Sequence, residues 1–262
     1  MKTNGLLYHD IIGLNDSHEV SGFRGNVVAR YKLAADTFES HLQSIKLAIK
    51  YPYSISRVSD TLNGIPVFLT FDDGGVSGYT IIAPLLEEYG WRGHFFITTN
   101  YIGKEGFLDE EQIIELHARG HIIGSHSCSH PDPISKLPYE ELLKEWRDSM
   151  DVLTDILGEP VKVASIPGGY YSRRVAEAAD EVGMQWLFTS EPTSKVLQVG
   201  NCKVLGRYMI LNSDCDKKAA CLATNCILTV VGQSLSWNLK KLAKVVGGKY
   251  YLRLRRFILE MK

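Results

Sequence analysis

The apolar and polar residues of the chain predict a regular alternation of strands and helices from residue 65 onward. Residues 65–71 form an almost unbroken apolar run, which is typical of a strand buried on both faces of a parallel sheet. Apolar runs of similar length predict further strands at 94–97, 121–124, 161–166, 185–189 and 204–211. Segments with apolar residues at helical spacing separate these runs. Six such strands predict an α/β fold that closes, fully or partly, into a barrel.

Helix start and stop signals support this alternation. Asp109 followed by Gln112 is close to a capping box, while Pro138 and Gly158 bound the longest predicted helix. Before the alternation begins, residues 6–11 predict a short strand and residues 27–33 a second extended segment. Asp36 is then expected to cap a helix, because apolar residues at helical spacing follow it.

The strand predicted at 65–71 ends in an unusual way for a buried strand. Asp72 and Asp73 follow it directly, and two glycines come after them. Two adjacent carboxylates without a counter-charge would raise the pKa of one of them. A cation bound beside one carboxylate removes this conflict and leaves the other free to act as a base. The alternative is an Asp-Asp-Gly-Gly turn on the surface.

His126 and His130 follow the strand predicted at 121–124 and are four residues apart. If the segment between them forms one helical turn, both imidazoles project to the same side and can bind one ion. The carboxyl ends of parallel strands meet at one edge of a sheet, so the acid pair is expected nearby. Two neutral imidazoles and one carboxylate are typical of a hydrolytic zinc-type site with open positions for water and substrate.

Two motifs resemble those of a known family. Residues 70–74 and 120–131 are similar to the first two motifs of NodB-type polysaccharide deacetylases (carbohydrate esterase family 4), and the resemblance covers roughly residues 60–190. It implies a distorted (β/α)7 barrel, a divalent metal that is usually Zn2+, and removal of an N-acetyl group from an amino sugar. By motif matching, the implied metal ligands are Asp73, His126 and His130, and the implied catalytic base is Asp72.

The third motif of the family departs from this pattern. It usually offers an arginine before a proline, and Ser165 stands in that place here. The group that normally orients the base must therefore come from elsewhere. Arg207, at the start of the last predicted strand, is our candidate, and Arg173 is a weaker one. The alternative in both cases is an arginine in solvent.

The late leucine-x-histidine motif, which supplies the general acid of the family, is also missing, because no histidine follows His130. One branch of the family carries a Tyr-His element near its amino end, and Tyr8-His9 resembles it. The first strand of a closed barrel neighbours the last, so His9 is expected to occupy the space of the missing histidine and to serve as the acid. Asp10 either orients His9 or is a surface acid.

Residues 213–262 differ in character from the barrel predicted over residues 1–212. From residue 240 to the end, eight basic residues stand against one acid, and apolar side chains fall on one helical stripe. A basic amphipathic helix of this kind lies peripherally on an anionic membrane surface. The alternative is a terminal helix packed on the barrel with its basic side in solvent. We predict a helical, basic extension over 213–262.

The remaining composition narrows the class of protein. A hydrophobic content of 45% allows a large core, and a net charge of −1 argues against a general nucleic-acid binder. The first residues show no charged segment followed by an apolar core, and the five cysteines contain no CxxC pair. We therefore expect no secretory signal and a cytoplasmic protein, free or peripheral at the membrane face.

The sequence thus predicts a metal-dependent hydrolase that deacetylates an N-acetylated carbohydrate, either a polysaccharide, an oligosaccharide or a lipid- or nucleotide-linked precursor. A rival from another class is a non-catalytic carbohydrate-binding or assembly protein that keeps the barrel and the metal site. A position of His9 far from His126 and His130 would favour this rival. Deacylation of a non-sugar amide would use the same residues and remains a third interpretation.

Overall fold

The computed structural model of the protein describes residues 1–57 and 64–239 and contains a mostly parallel sheet surrounded by helices. Its strands are β1 Asn4–Tyr8, β2 Ile11–Ile12, β3 Leu33–Ala34, β4 Val67–Phe71, β5 His94–Ile97, β6 Ile122–Ser125, β7 Val163–Ser165, β8 Trp186–Phe188, β9 Val196–Val199, β10 Cys202–Leu205 and β11 Arg207–Met209. Its helices are α1 Asn26–Ala29, α2 Ala35–Ala48, α3 Ala83–Glu88, α4 Glu110–Ala118, α5 Tyr139–Leu157, α6 Arg173–Glu181, α7 Asp216–Ala223 and α8 Ile227–Leu239. A π-helical turn, Gly78–Ile82, leads into α3.

The barrel closes at a bend in its last strand. Strands β10 and β11 are one extended stretch of chain interrupted at Gly206: β10 pairs in parallel with β8, and β11 pairs in parallel with β1. A side chain at Gly206 would place its Cβ 2.5 Å from the carbonyl oxygen of Glu191, so only glycine allows this close approach. With β10 and β11 taken as one bent strand, seven parallel positions form the barrel. The distorted (β/α)7 fold expected from the sequence is confirmed.

Alternation along the strands separates two apolar layers. Phe68, Phe96 and Phe188 point into the barrel and fill it, whereas Leu69 and Phe95 point outward into the layer under the helices. Successive side chains of a strand face opposite sides of the sheet, and both sides are covered. Each parallel strand is therefore buried on both faces, and its sequence is a continuous apolar run. The filled interior leaves the chemistry to the carboxyl edge of the strands.

Several local predictions are confirmed. Asp109 and Gln112 form the complete capping box of α4, with the backbone N–H of Gln112 donating to Asp109 over 2.8 Å and the backbone N–H of Asp109 donating to Gln112 over 3.2 Å. Pro138 precedes α5, and Gly158 ends it in the left-handed conformation. These boundaries follow from residue types whose backbone preferences are strong.

Two predictions near the amino end are wrong. The segment predicted as extended over 27–33 contains the helical turn α1 and only a short strand, β3. Lys32 folds this region back, because its buried ammonium donates to the carbonyls of His18, Ser21 and Phe23. Asp36 does not cap α2 either: Ala34 holds the cap position, and the Asp36 carboxylate accepts from the neighbouring N–H of Thr37.

Strand β9, which runs antiparallel to β10 and forms a hairpin with it, is not predicted by the sequence pattern. Half of its residues are exposed, so it lacks the apolar run by which the parallel strands were predicted.

Beyond residue 212, α7 packs on α2. Ser44 donates to Asp216 over 2.9 Å, and Leu222 lies in the same apolar cluster as Phe38 and Leu42. The boundary at residue 212 stays a prediction, and the basic helix predicted over 240–262 lies outside the described residues. Within 1–57 and 64–239, no single helix is long and apolar enough to cross a bilayer; α7 and α8 reach that length and composition only together, with a bend of 96° between them.

Candidate active site

The residues predicted from the two motifs meet at the carboxyl edge of the barrel. Asp72 and Asp73 follow β4, His126 follows β6, and both strands pair with β5 between them. Among the described residues, Asp73, His126 and His130 form a group that could hold a metal, with one donor atom from each within 4.8 Å of the others. The fold thus brings these residues, which are far apart in the sequence, into one cluster.

The orientation of His126 prepares it as a ligand. Its Nδ1 lies 3.0 Å from the carbonyl oxygen of Ser165, which can only accept, so this nitrogen carries the proton. The Nε2 of His126 faces Asp73 Oδ1 at 3.4 Å, and His130 Nε2 lies 3.6 Å from the same oxygen. When both imidazoles are neutral, as metal ligands must be, these three atoms present lone pairs to one another, and a cation among them relieves their repulsion. The donor set of two imidazoles and a carboxylate fits a divalent ion of the zinc type.

The segment that joins the two histidines is not the helical turn expected from their spacing. Ser127 and His130 adopt positive φ angles of 63° and 57° instead, and the two imidazoles still face each other with their centroids 5.2 Å apart. Asp73 also has a positive φ of 78°. Non-glycine residues rarely take this conformation, and surrounding structure must hold them there.

Glu145 of α5 provides much of that support. Its carboxylate accepts from the backbone N–H groups of Cys128 and Ser129 over 3.0 and 2.8 Å and from the Ser129 hydroxyl over 2.6 Å. The Ser127 hydroxyl accepts from the N–H of His130 over 3.1 Å. Sequence reasoning missed Glu145, because an acid on an amphipathic helix resembles any solvent-facing position.

Arg207 lies against Asp72, as the sequence analysis expected. Its guanidinium donates to both carboxylate oxygens, over 2.7 Å to Oδ1 and 2.8 Å to Oδ2, and the arginine is completely buried. Burial alone would raise the pKa of Asp72, but the charge of Arg207, with help from His126, outweighs it and lowers the pKa below its usual value. Asp72 is therefore ionised at neutral pH.

Ser165 is part of the same network. Its hydroxyl accepts from Arg207 over 2.6 Å and donates to Asp72 Oδ2 over 3.1 Å. The Nε–H of Arg207 donates to the carbonyl of Thr189 over 3.0 Å, which fixes the plane of the guanidinium. Arg173, the weaker candidate, is exposed and pairs with Glu177 on its own helix. The arginine that orients Asp72 thus comes from the last strand.

His9 also reaches the site. Strand β1 lies between β11 and β4, with Tyr8 opposite Phe71, so His9 comes next to Asp72. Its charge contributes to the lowered pKa of both Asp72 and Asp73. The ring rests on Tyr31 at 4.8 Å, and its Nδ1 is buried with no hydrogen-bond partner among the described residues.

Both interpretations of Asp10 were wrong. It is neither a surface acid nor a partner of His9: it is buried, and its Oδ1 accepts from Ser21 over 2.5 Å and from Ser77 over 2.8 Å. Burial raises its pKa, and the serine hydroxyls and Lys32 act against this shift. Asp10 and Lys32 together fasten the loop that follows β2 to the turn after Asp73.

That loop carries an aromatic residue into the site. Phe23 lies 4.9 Å from the ring of His130, and it packs edge-on against Tyr101 and Phe107 at 4.8 and 5.2 Å. Together, Phe23, Tyr101 and Phe107 form an aromatic wall beside His130. No periodic pattern surrounds Phe23, so the sequence gives no sign of this role.

Comparisons with known proteins identify similar sequences over the segment that contains these residues. The polysaccharide deacetylase family model matches residues 59–187. The putative polysaccharide deacetylase YxkH of Bacillus subtilis is 31% identical over 126 residues, which is 48% of this chain and 45% of that protein. The peptidoglycan-N-acetylmuramic acid deacetylase PdaA of the same organism is 30% identical over 127 residues, 47% of this chain and 46% of that protein. The matches therefore span a little under half the length of these curated relatives.

Solved structures share the fold over a longer stretch. The Streptococcus pyogenes deacetylase PplD, solved in complex with acetate, superimposes with a TM-score of 0.68 at 21% identity, covering 83% of this chain and 96% of that one. The polysaccharide deacetylase BC0361 of Bacillus cereus gives 0.70 at 22% identity, covering 85% and 69%. The solved structures show that the chain has the α/β-barrel fold of these proteins. Over residues 59–187, just under half of the chain, the sequence matches the polysaccharide deacetylase family, which agrees with the resemblance of its motifs to the NodB-type group, carbohydrate esterase family 4. The Tyr8-His9 element lies outside the matched segment and stays a prediction.

Proposed function

We propose that the protein is a metal-dependent hydrolase that removes the acetyl group from an N-acetylated amino sugar. The observation that carries this proposal is the placement of an ionised, arginine-clamped Asp72 directly beside the donor set of Asp73, His126 and His130. A binding protein has no need for a carboxylate held in this way. The names of the relatives, which include deacetylases of peptidoglycan and of chitin, support the same class of substrate.

The ion belongs between Asp73, His126 and His130, and we propose that it is Zn2+. When bound there, such an ion polarises the acetyl carbonyl and lowers the pKa of a water beside it. The chain's own residues then account for the proton transfers that amide hydrolysis requires.

Asp72 accepts the proton of the attacking water on a carboxylate oxygen. Arg207 holds both oxygens, so the carboxylate cannot rotate away, and Ser165 fixes Oδ2 in addition. The C–N bond of the amide then breaks, and the departing amine needs a proton. His9, beside Asp72 at the end of β1, supplies this proton, which gives acetate and a free amino sugar.

The aromatic wall would receive the apolar parts of the substrate. Phe23 borders His130, and Tyr101 and Phe107 pack against Phe23, so a sugar ring or an acetyl methyl group can pack against this wall while the amide lies at the metal ligands. The sugar can belong to a polysaccharide, an oligosaccharide or a lipid- or nucleotide-linked precursor, because all present the same N-acetyl group.

Acetate release from a panel of N-acetylated sugars tests this proposal. The full chain should release acetate from at least one member and lose this activity after treatment with a chelator. Tight sugar binding without acetate release, in wild-type protein loaded with Zn2+, would instead support the carbohydrate-binding alternative. Release from simple N-acetyl amides but from no sugar would support a non-sugar substrate.

A further inference from the structure

Helix α8, Ile227–Leu239, has a packed face that is more polar than its exposed face. Gln233 and Ser234 face the barrel and donate to the carbonyls of Met209 and Pro192, each over 2.7 Å. Val230 packs partly against the main apolar cluster, and Trp237 lies next to Gly169. Positions 230, 233, 234 and 237 share one helical face, so this face is the one that anchors α8.

The opposite face carries an apolar stripe with no partner among the described residues. Four large apolar side chains make up this apolar stripe: Leu228, Val231, Leu235 and Leu239. Their exposed fractions run from 48% for Val231 to 85% for Leu228. A soluble helix normally turns its apolar side inward, and a continuous exposed apolar patch marks a surface that another phase or molecule covers.

The position of α8 links this stripe to the catalytic edge. Met209 belongs to β11, Pro192 follows β8, and Gly169 follows β7, so the anchored face of α8 lies across the carboxyl ends of these strands. Asp72, Asp73 and His126 lie at the carboxyl edge of the same barrel. Whatever covers the apolar stripe is therefore brought to the rim of the site.

The charge pattern of the chain indicates what this covering is. Residues 227–239 contain no charged side chain, whereas residues 240–262 contain eight basic residues and one acid. Apolar side chains that enter the acyl boundary, next to a basic segment that attracts anionic headgroups, are the two components of interfacial membrane binding. We propose that the apolar stripe of α8 docks onto an anionic lipid bilayer surface and brings the rim of the active site to that surface.

Vesicle flotation of the full chain tests this proposal. We expect the protein to float with vesicles of equal parts phosphatidylglycerol and phosphatidylcholine, and far less with phosphatidylcholine alone. Leu228→Glu and Leu235→Glu should each weaken partitioning by about tenfold or more, because each places a charge where an apolar side chain is buried. Leu47→Glu is the matched control, since Leu47 is 90% exposed on α2, outside the stripe, and should change binding little.

Other outcomes overturn the proposal. Absence of binding by wild-type protein, or equal binding by wild type and both stripe variants, contradicts it. If wild type instead forms a dimer that Leu228→Glu dissociates, while neither binds vesicles, the stripe is an interface between two copies. If wild type and the stripe variants are all monomeric and none binds vesicles, but the stripe variants melt at a lower temperature, residues 240–262 cover the stripe instead. None of these readouts depends on deacetylase activity.

Discussion

Arg207 and Asp72 form a buried, two-point ion pair between the last strand of the barrel and the end of β4, at 2.7 and 2.8 Å. In the family's usual motif, the arginine that orients the base precedes a proline at the place of Ser165. Here the hydroxyl of Ser165 lies 2.6 Å from the same guanidinium. The two positions therefore converge on one point in space, and an arginine from β11 reaches the base that an arginine from β7 would otherwise reach.

Because the two positions converge, we predict that the orienting arginine can be moved from position 207 to position 165. Arg207→Ser should lower kcat by about 100-fold, because Asp72 loses its clamp, and should destabilise the fold by about 3–5 kcal/mol, since a buried carboxylate is left unpaired. The double variant Ser165→Arg with Arg207→Ser should recover much of both losses. Kinetics of acetate release and chemical denaturation measure the two effects.

Arg207→Lys separates the effect of donor geometry at Asp72 from the effect of positive charge. A lysine keeps the positive charge but cannot donate to both oxygens in one plane, so kcat should fall while stability is largely retained. Full activity in Arg207→Lys, or a double variant no better than Arg207→Ser, would show that orientation by a planar donor is not what Asp72 needs.

His9 should matter only when the leaving group needs a proton. His9→Gln is expected to slow release of acetate from an N-acetyl sugar by about 10²–10⁴-fold, since the amine departs without its acid. Hydrolysis of 4-nitrophenyl acetate should change little, because nitrophenolate leaves unprotonated. Equal losses on amide and ester would place His9 in a structural role, and unchanged amide hydrolysis would remove it from the mechanism.

Glu145 should control how tightly the metal is held. Glu145→Gln weakens the hydrogen bonds that hold the backbone between His126 and His130, so metal affinity should fall by about 10–100-fold. Glu141→Gln, one turn earlier on α5 and exposed, should leave affinity unchanged. Competition with a chromogenic chelator gives both values, and similar affinities for the two variants would contradict the support assigned to Glu145.

His94 predicts part of the acid sensitivity of the fold. Its Nδ1 lies 3.0 Å from the carbonyl of Leu69, its Nε2 accepts from the N–H of Ile55, and burial lowers its pKa to about 4. Between the ordinary histidine pKa of about 6.5 and about 4, only the unfolded chain binds this proton. The free energy of unfolding should therefore fall by about 1.4 kcal/mol per pH unit from this residue as the pH decreases through that window.

His94→Gln isolates this contribution. The variant should show a shallower loss of unfolding free energy between about pH 6.5 and about pH 4 than wild type, because glutamine does not titrate. Denaturant unfolding across this range measures both slopes. Parallel slopes in the two proteins would mean that His94 is already protonated in the fold, or that it remains unprotonated in the unfolded chain.

The sequence predicts the structure of this protein best at positions where the residue type favours a single local structure. Buried parallel strands are recognisable as apolar runs, and the spacing of the acid pair, His126 and His130 predicts one candidate metal site. The backbone that joins the two histidines was predicted wrongly, because spacing alone cannot distinguish a helical turn from two left-handed residues. Asp10, Glu145 and Phe23 act through contacts between distant segments, and neither periodicity nor local motifs carry that information.

Titration of metal into apo-protein, wild type and Asp72→Asn, tests most directly whether Asp72 acts as the base beside a bound metal. Acetate release and bound metal are followed in the same samples. We expect both proteins to bind one ion per chain, because Asp72 is not among the ligands, and only wild type to release acetate in proportion to the metal bound. Acetate release by Asp72→Asn at the wild-type rate, or release by wild type that does not depend on metal, would contradict the account.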